Sequence, residues 1–148
     1  MNAEKIISNV ISGSDLSEDE TFQIINAIFE GKISEEKIIS FLQALSEKGE
    51  SVEEIVGAVK SMRKHSIKVN TNLKDLVDCC GTGGLGKNIM NISTCSAFVA
   101  AAGGVKIAKH GNRTSTGVSG SADILEAAGV NISIDSEQVS KCLESVGI

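Results

Sequence analysis

Four of the six residues from Gly81 to Gly86 are glycine, and what flanks them narrows the possible folds sharply. Ahead lies Leu76-Val77-Asp78-Cys79-Cys80, which is short, apolar and compatible with a β-strand. Behind lies an apolar run from about Ile92 to Ala102 whose length suits a helix. Strand, glycine loop and helix open a βαβ unit, and the same grammar then recurs. Gly103-Gly104 breaks the helix, and Val105-Lys106-Ile107-Ala108 reads as a second strand. A loop leads to a helix at about 119–128, Gly129 stops it, and Val130 to Ile134 reads as a third strand. Asp135 with Gln138 opens a last helix. Strands that alternate with helices predict a parallel sheet.

The chain before this region reads differently. Ser17 with Glu20, and Ser51 with Glu54, are capping boxes that start helices. Phe22, Ile25 and Phe29 recur at helical spacing, as do Ile38, Leu42 and Leu45, and Ile55, Val59 and Met62. Gly31 and Gly49 sit where helices stop. The pattern predicts helices at about 2–12, 17–30, 34–48 and 51–66, with sequential neighbours antiparallel across short polar links. His65, in Lys64-His65-Ser66 at a helix end, reads as a solvated or capping residue. The expected fold is thus α+β/α/β: a helical bundle over residues 1–70, then the start of a parallel-sheet α/β domain over 71–148. Val146-Gly147-Ile148 reads as a helix stop and the first residue of a further strand, so the sheet is expected to be part of a larger one.

Composition removes several functions. Net charge is −5, which argues against nucleic acid as a partner. There are four Phe and no Trp or Tyr, so stacking platforms for bases or sugars are scarce. Cys79, Cys80, Cys95 and Cys142 show no CxxC spacing and read as reduced thiols of a cytoplasmic protein. The longest apolar stretch, Ala97 to Val105, is far too short to span a membrane, and no signal-peptide pattern follows Met1.

The glycine loop carries the chemistry. Successive glycines let backbone N–H groups converge on one concavity, where an oxyanion can approach closely. The helix that starts near Ile92 adds unpaired N–H groups and a positive dipole end, and Asn91, Ser93 and Thr94 add neutral donors. No Asp or Glu occurs between Asp78 and Asp123, while Lys87, Lys106, Lys109 and Arg113 fall inside that window. Both strand-to-helix loops of a parallel sheet lie at its carboxyl edge, so an anion there explains the missing acids. Gly81, Gly83 and Gly86 also match the dinucleotide spacing. However, five residues intervene before the helix, and Val105-Lys106-Ile107-Ala108-Lys109 holds no acid for a ribose. The P-loop spacing fails as well, because Gly81 is too close to Gly86-Lys87 and Asn88 stands where Ser or Thr belongs.

Four segments in order, Cys80-Gly81-Thr82-Gly83-Gly84, Asn91-Ile92-Ser93-Thr94, Lys109-His110-Gly111-Asn112-Arg113 and Gly120-Ser121-Ala122-Asp123, make the chain resemble the anthranilate phosphoribosyltransferase family. Asp15-Leu16-Ser17 and Lys48-Gly49-Glu50 extend the resemblance through the helical half. Pyrimidine nucleoside phosphorylases are a weaker match. They place Lys-His-Ser directly before Thr-Gly-Gly, whereas Lys64-His65-Ser66 here lies well upstream.

The resemblance implies transfer of phosphoribosyl from phosphoribosyl pyrophosphate to the amino group of anthranilate, a Mg²⁺-assisted step of tryptophan biosynthesis, by a homodimer joined through the helical domain. By position it implies that Gly81, Gly84, Leu85, Asn91, Ile92, Ser93, Thr94, Lys109, His110, Gly111, Asn112, Arg113 and Ser121 line the phosphoribosyl pyrophosphate site. Gly81 and Asn112 would lie near anthranilate, Ser93 would touch Mg²⁺, and His110 would belong to the site wall, an ordinary loop histidine being the other reading. Leu85 stands where the family has Asp, and Ile89 where it has Thr, which removes polar groups beside pyrophosphate and metal. Ser115-Thr116-Gly117-Val118 departs from the family's serine-rich pattern. The family's acidic Mg²⁺ ligands and an anthranilate-binding Arg fall beyond residue 148, so this chain by itself is expected to be inactive or nearly so. A non-catalytic remnant that binds an anion or dimerises is the alternative, and a dinucleotide-binding protein the least favoured.

Overall fold

The computed structural model describes residues 3–81, 90–114 and 119–148. The chain divides into two compact units, Met1–Ser66 and Ile67–Ile148. The first holds α1 (Ala3–Ile11), α2 (Glu18–Phe29), α3 (Glu35–Lys48) and α4 (Val52–His65). The second holds α5 (Ile92–Ala102), α6 (Ser121–Ala127) and α7 (Ser136–Ser145).

The helix boundaries follow the local chemistry of the sequence. Ser17 and Ser51 each accept from the amide three residues on, and Glu20 and Glu54 reach back to the cap amides. Gly31, at φ 67°, closes α2: its amide donates to Ile28 O while Lys32 N donates to Ala27 O. Packing joins mainly alternate helices, α2 against α4 and α1 against α3, with a smaller contact between α1 and α2. Ile6, Ile7, Val10, Leu16, Ile24 and Phe41 form the buried core.

Two features fix the α2–α4 contact. A Cβ on Gly57 would lie 2.3 Å from Glu18 O and 2.9 Å from Thr21 Cβ, so only glycine lets these helices approach as they do. Gly57→Ala is expected to destabilise the unit by about 2 kcal/mol through overpacking, read as a lower urea midpoint. An unchanged midpoint would show that α2 and α4 slide apart without cost. At the far end His65 stacks on Phe29, with centroids 4.9 Å apart and planes at 21°, and its Nε2 lies 3.1 Å from Asn26 Oδ1. It therefore ties α4 to α2 rather than serving as the solvated or capping residue expected from its neighbours.

In the second unit the expected strands at Leu76–Cys80 and Val105–Ala108 meet in a single parallel bridge, and no longer strand is formed among the described residues. Val77 N donates to Lys106 O and Ala108 N to Val77 O, each at 2.9 Å, which bridges Val77 to Ile107 in parallel. Ile107 N turns the other way and donates to Gly147 O at 2.8 Å. The buried Ile107 segment thus lies between the other two. The expected strand at Val130 to Ile134 does not form. Val130 N is committed to Leu125 O, completing the stop of α6 around Gly129, and Ser133 N turns onto Asn131 Oδ1 at 3.0 Å. Local side-chain pairing displaces a ladder here. The position beside Ile107 goes instead to Gly147, after α7.

Candidate anion site

Parallel pairing of Val77 with Ile107 means that the chain leaves both segments toward the same end. The two loops that follow carry most residues singled out from the sequence. Gly84, Leu85 and Ile89 lie outside the described residues, as does 115–118, and the rest can be placed.

The first cluster forms around α5. A Cβ on Gly81 would lie 3.8 Å from Ser93 Oγ, so the loop enters beside the first turn of α5. Cys79 Sγ donates to Ser93 O at 3.2 Å and fastens that turn from below. Asn91 occupies the N-cap position but makes no side-chain cap bond, and no acid lies in the first turn. The capping boxes of α2, α4 and α7 close those helices from within, whereas among the described residues no side chain caps the first turn of α5. Asn91 Nδ2 and Thr94 Oγ1 are buried with no hydrogen-bond partner among the described residues. A buried donor left unmet costs about 1–3 kcal/mol, which an acceptor oxygen from a ligand would recover.

The second cluster forms around α6. A Cβ on Gly111 would lie 2.9 Å from Ser121 Cβ and 3.9 Å from Lys109 Nζ, so Lys109, Gly111 and Ser121 gather at one place. Lys109 Nζ rests on His110 O at 3.0 Å. Asn112 Oδ1 accepts from Arg113 N at 2.8 Å, and Asn112 O accepts from Ala122 N at 3.2 Å, which holds the loop to the helix. Asp123 Oδ2 accepts from Gly120 N at 2.6 Å and Thr114 N at 3.0 Å. These amides, with Arg113, hold its carboxyl below the usual range.

Arg113 differs from the sequence reading in its charge. Its guanidinium forms a fork with Glu126, Nη1 to Oε2 and Nη2 to Oε1, the latter at 2.7 Å, with Asp123 Oδ1 3.7 Å away. Its charge is met within the domain, so Lys109 is the cation that this cluster offers an anion. Sequence reasoning missed Glu126 because the acid-free window ends before it, while the first turns of α6 bring it back onto the loop. Asp78, at the window's other edge, was also missed, although its Oδ1 meets both segments.

Ser93 is the residue that the resemblance implied at Mg²⁺, and one hydroxyl is too few for that ion. Among the described residues no cluster of three His, Cys, Asp or Glu forms a metal site. Mg²⁺ takes six oxygens in near-octahedral array, so these residues do not by themselves fit a resident ion.

Residues 4–66 match the model of the glycosyl transferase family helical bundle domain, and residues 73–148 that of the glycosyl transferase family a/b domain. The chain belongs to this glycosyl transferase family. Within it, the chain is 52% identical over 145 residues to the anthranilate phosphoribosyltransferase of Acetivibrio thermocellus, covering 98% of this chain and 42% of that protein. It is 46% identical to that of Teredinibacter turnerae, over 100% of this chain and 43% of that one. The crystal structure of anthranilate phosphoribosyltransferase from Thermus thermophilus superposes with a TM-score of 0.85 at 40% identity, over 99% of this chain and 44% of that one. The resemblance carried by the four ordered motifs is borne out, as is a glycosyl transferase fold of helical bundle followed by the start of an α/β domain. The chain spans less than half the length of the curated relatives it matches.

Proposed function

We propose that this glycosyl transferase family chain carries the phosphoribosyl pyrophosphate half of an anthranilate phosphoribosyltransferase. The observation that supports it most is the first turn of α5. Buried Asn91 Nδ2 and Thr94 Oγ1 lack partners among the described residues, on an acid-free turn beside Gly81. In this reading the pyrophosphate oxygens accept from that turn and from the glycine loop, and Lys109 adds a point charge from the second loop. The anthranilate amino group attacks C1 of the ribose as the C1–O bond to pyrophosphate breaks, and the ammonium formed then sheds its proton. What the chain supplies is alignment and stabilisation of the leaving charge. Ser93 would be this chain's contact to a Mg²⁺ bound with the pyrophosphate, and that ion would help to neutralise the leaving charge. Anthranilate lies near Gly81 and Asn112.

The same reading pairs two copies through the helical unit, where Ile11 on α1 and Ile39 and Leu42 on α3 stay exposed on two helices that pack together. It places the protein in the cytoplasm, where its four unpaired cysteines stay reduced. No described helix is long and apolar enough to cross a membrane.

Phosphorus NMR titration with pyrophosphate and with phosphoribosyl pyrophosphate tests the site. Binding in the micromolar-to-millimolar range is expected, as for a few charge-assisted bonds, and it should weaken with salt. Lys109→Ala should weaken binding about three- to tenfold and flatten the salt dependence, since one exposed charge is removed. Affinity and salt dependence unchanged in that variant would move the anion elsewhere.

A further inference from the structure

Asp78 is the last acid before the long stretch that has none, and it stands one residue beyond the bridged Val77. Its Oδ1 accepts from Cys80 N at 3.0 Å and from His110 N at 3.2 Å. Those two amides belong to different segments. Cys80 leads into Gly81 and the turn of α5, whereas His110 sits between Lys109 and Gly111 beside Ser121. The last backbone hydrogen bond between the two segments, among the described residues, is Ala108 N to Val77 O. Beyond it, one carboxylate oxygen continues the pairing that the ladder leaves off.

We infer that Asp78 is a positioning residue whose carboxylate ties the Lys109–Gly111 segment to the Cys80–Gly81 segment and so sets the spacing of the two halves of the anion site. The inference rests on the anion-site reading above. A carboxylate suits the task because a single oxygen takes two N–H donors from different directions, and charge-assisted bonds to backbone amides are stronger than neutral ones. Lys109 gains most. Its Nζ folds back onto His110 O, so whatever holds the His110 amide also places the ammonium.

The test uses the full chain, isotope-labelled, as wild type, Asp78→Ala and Asp78→Asn. Amide exchange reads the tie with no ligand present, and a pyrophosphate titration followed on the same amides reads its service to the site. In Asp78→Ala the His110 amide should exchange about tenfold faster, and pyrophosphate affinity should fall about five- to tenfold, the effect of losing the charge-assisted bonds to Cys80 N and His110 N. Pyrophosphate should then perturb Gly81 but no longer Lys109. Asp78→Asn keeps an acceptor oxygen but loses the charge, and should fall between wild type and Asp78→Ala in exchange and affinity. Unchanged His110 exchange in Asp78→Ala overturns the tie. Faster exchange with unchanged affinity, and with both segments still perturbed, overturns its role in the site. If pyrophosphate leaves the wild-type amides unmoved, the anion-site reading fails, and the ligand-free exchange still decides whether Asp78 holds the segments together.

Discussion

Glu54→Ala is expected to destabilise the helical unit by about 3–5 kcal/mol, the cost of breaking a buried ion pair from one side. Glu54 is 1% exposed, and Lys48, whose side chain is 8% exposed, donates to its Oε2 at 2.9 Å. Oε1 accepts from Leu16 N at 2.9 Å, and Oε2 accepts from Ser51 N at 2.7 Å. Lys48 also reaches Asp15 at 2.6 Å. One carboxylate therefore joins the segment before α2, the end of α3 and the start of α4. Alanine strands two backbone donors and leaves Lys48 with Gly49 O and the exposed Asp15. Burial pushes the Glu54 carboxyl up, but the Ser51 amide, Lys48 and the Leu16 amide outweigh it and hold the group below its ordinary 4.5. A carboxyl depressed by folding contributes stability above its unfolded value, and that contribution is lost as pH falls through the lower folded value. Lys48 is raised by Asp15 and Glu54, so its contribution is complete below the ordinary 10.5 and is lost only as pH climbs through the folded value. The gap in urea midpoint between wild type and Glu54→Ala should be wide at neutral pH and narrow on acidification below 4.5. A gap of the same size at both pH values would mean that the carboxylate's charge contributes nothing.

Gly120→Val is expected to lower pyrophosphate affinity about a hundredfold, equivalent to about 2.7 kcal/mol. A Cβ at Gly120 would come 2.4 Å from Asn112 O, 2.6 Å from Thr114 N and 2.7 Å from Arg113 C. All three are backbone atoms, so no side chain can rotate aside, and the 112–114 segment must leave the first turn of α6. The amide bonds to Asp123 would go with it, and the Lys109–Gly111–Ser121 cluster would lose its support. Isothermal titration with pyrophosphate, beside far-ultraviolet dichroism to confirm that the helices remain, measures the effect. Affinity within about twofold of wild type, less than the cost of one ordinary hydrogen bond, would show that the second loop takes no part in holding the anion.

The helices were legible because their ends are written locally. Ser17 with Glu20, Ser51 with Glu54 and Asp135 with Gln138 each form the reciprocal cap that their spacing suggests. What escaped is everything that depends on distant partners. As a sequence feature Glu54 is a capping residue, and nothing in its neighbourhood announces the bonds to Leu16 and Lys48. Arg113 looked free because charge along the chain says nothing of the helical turns that bring Glu126 to it. Val130 to Ile134 had the right residue types for a strand, yet Asn131 and the end of α6 claim its amides first. The converse holds at α5, where the sequence offered Asn91, Ser93 and Thr94 as donors, and two of the three are found buried without partners among the described residues.

The arrangement of partners also orders the folding of the chain. Every group that the Glu54 knot requires, from Asp15 and Leu16 to Lys48 and Ser51, lies within Met1–Ser66, as does the core from Ile6 to Phe41. That unit can close while later residues are still being synthesised. The Ile107 segment has no such independence. Its two sides wait on Val77 and Gly147, which closes loops of about thirty and forty residues, and such loops are entropically slow to form. On the ribosome the helical unit is therefore a finished body while the bridge of Val77 to Ile107, and the bond from Ile107 to Gly147, have yet to close.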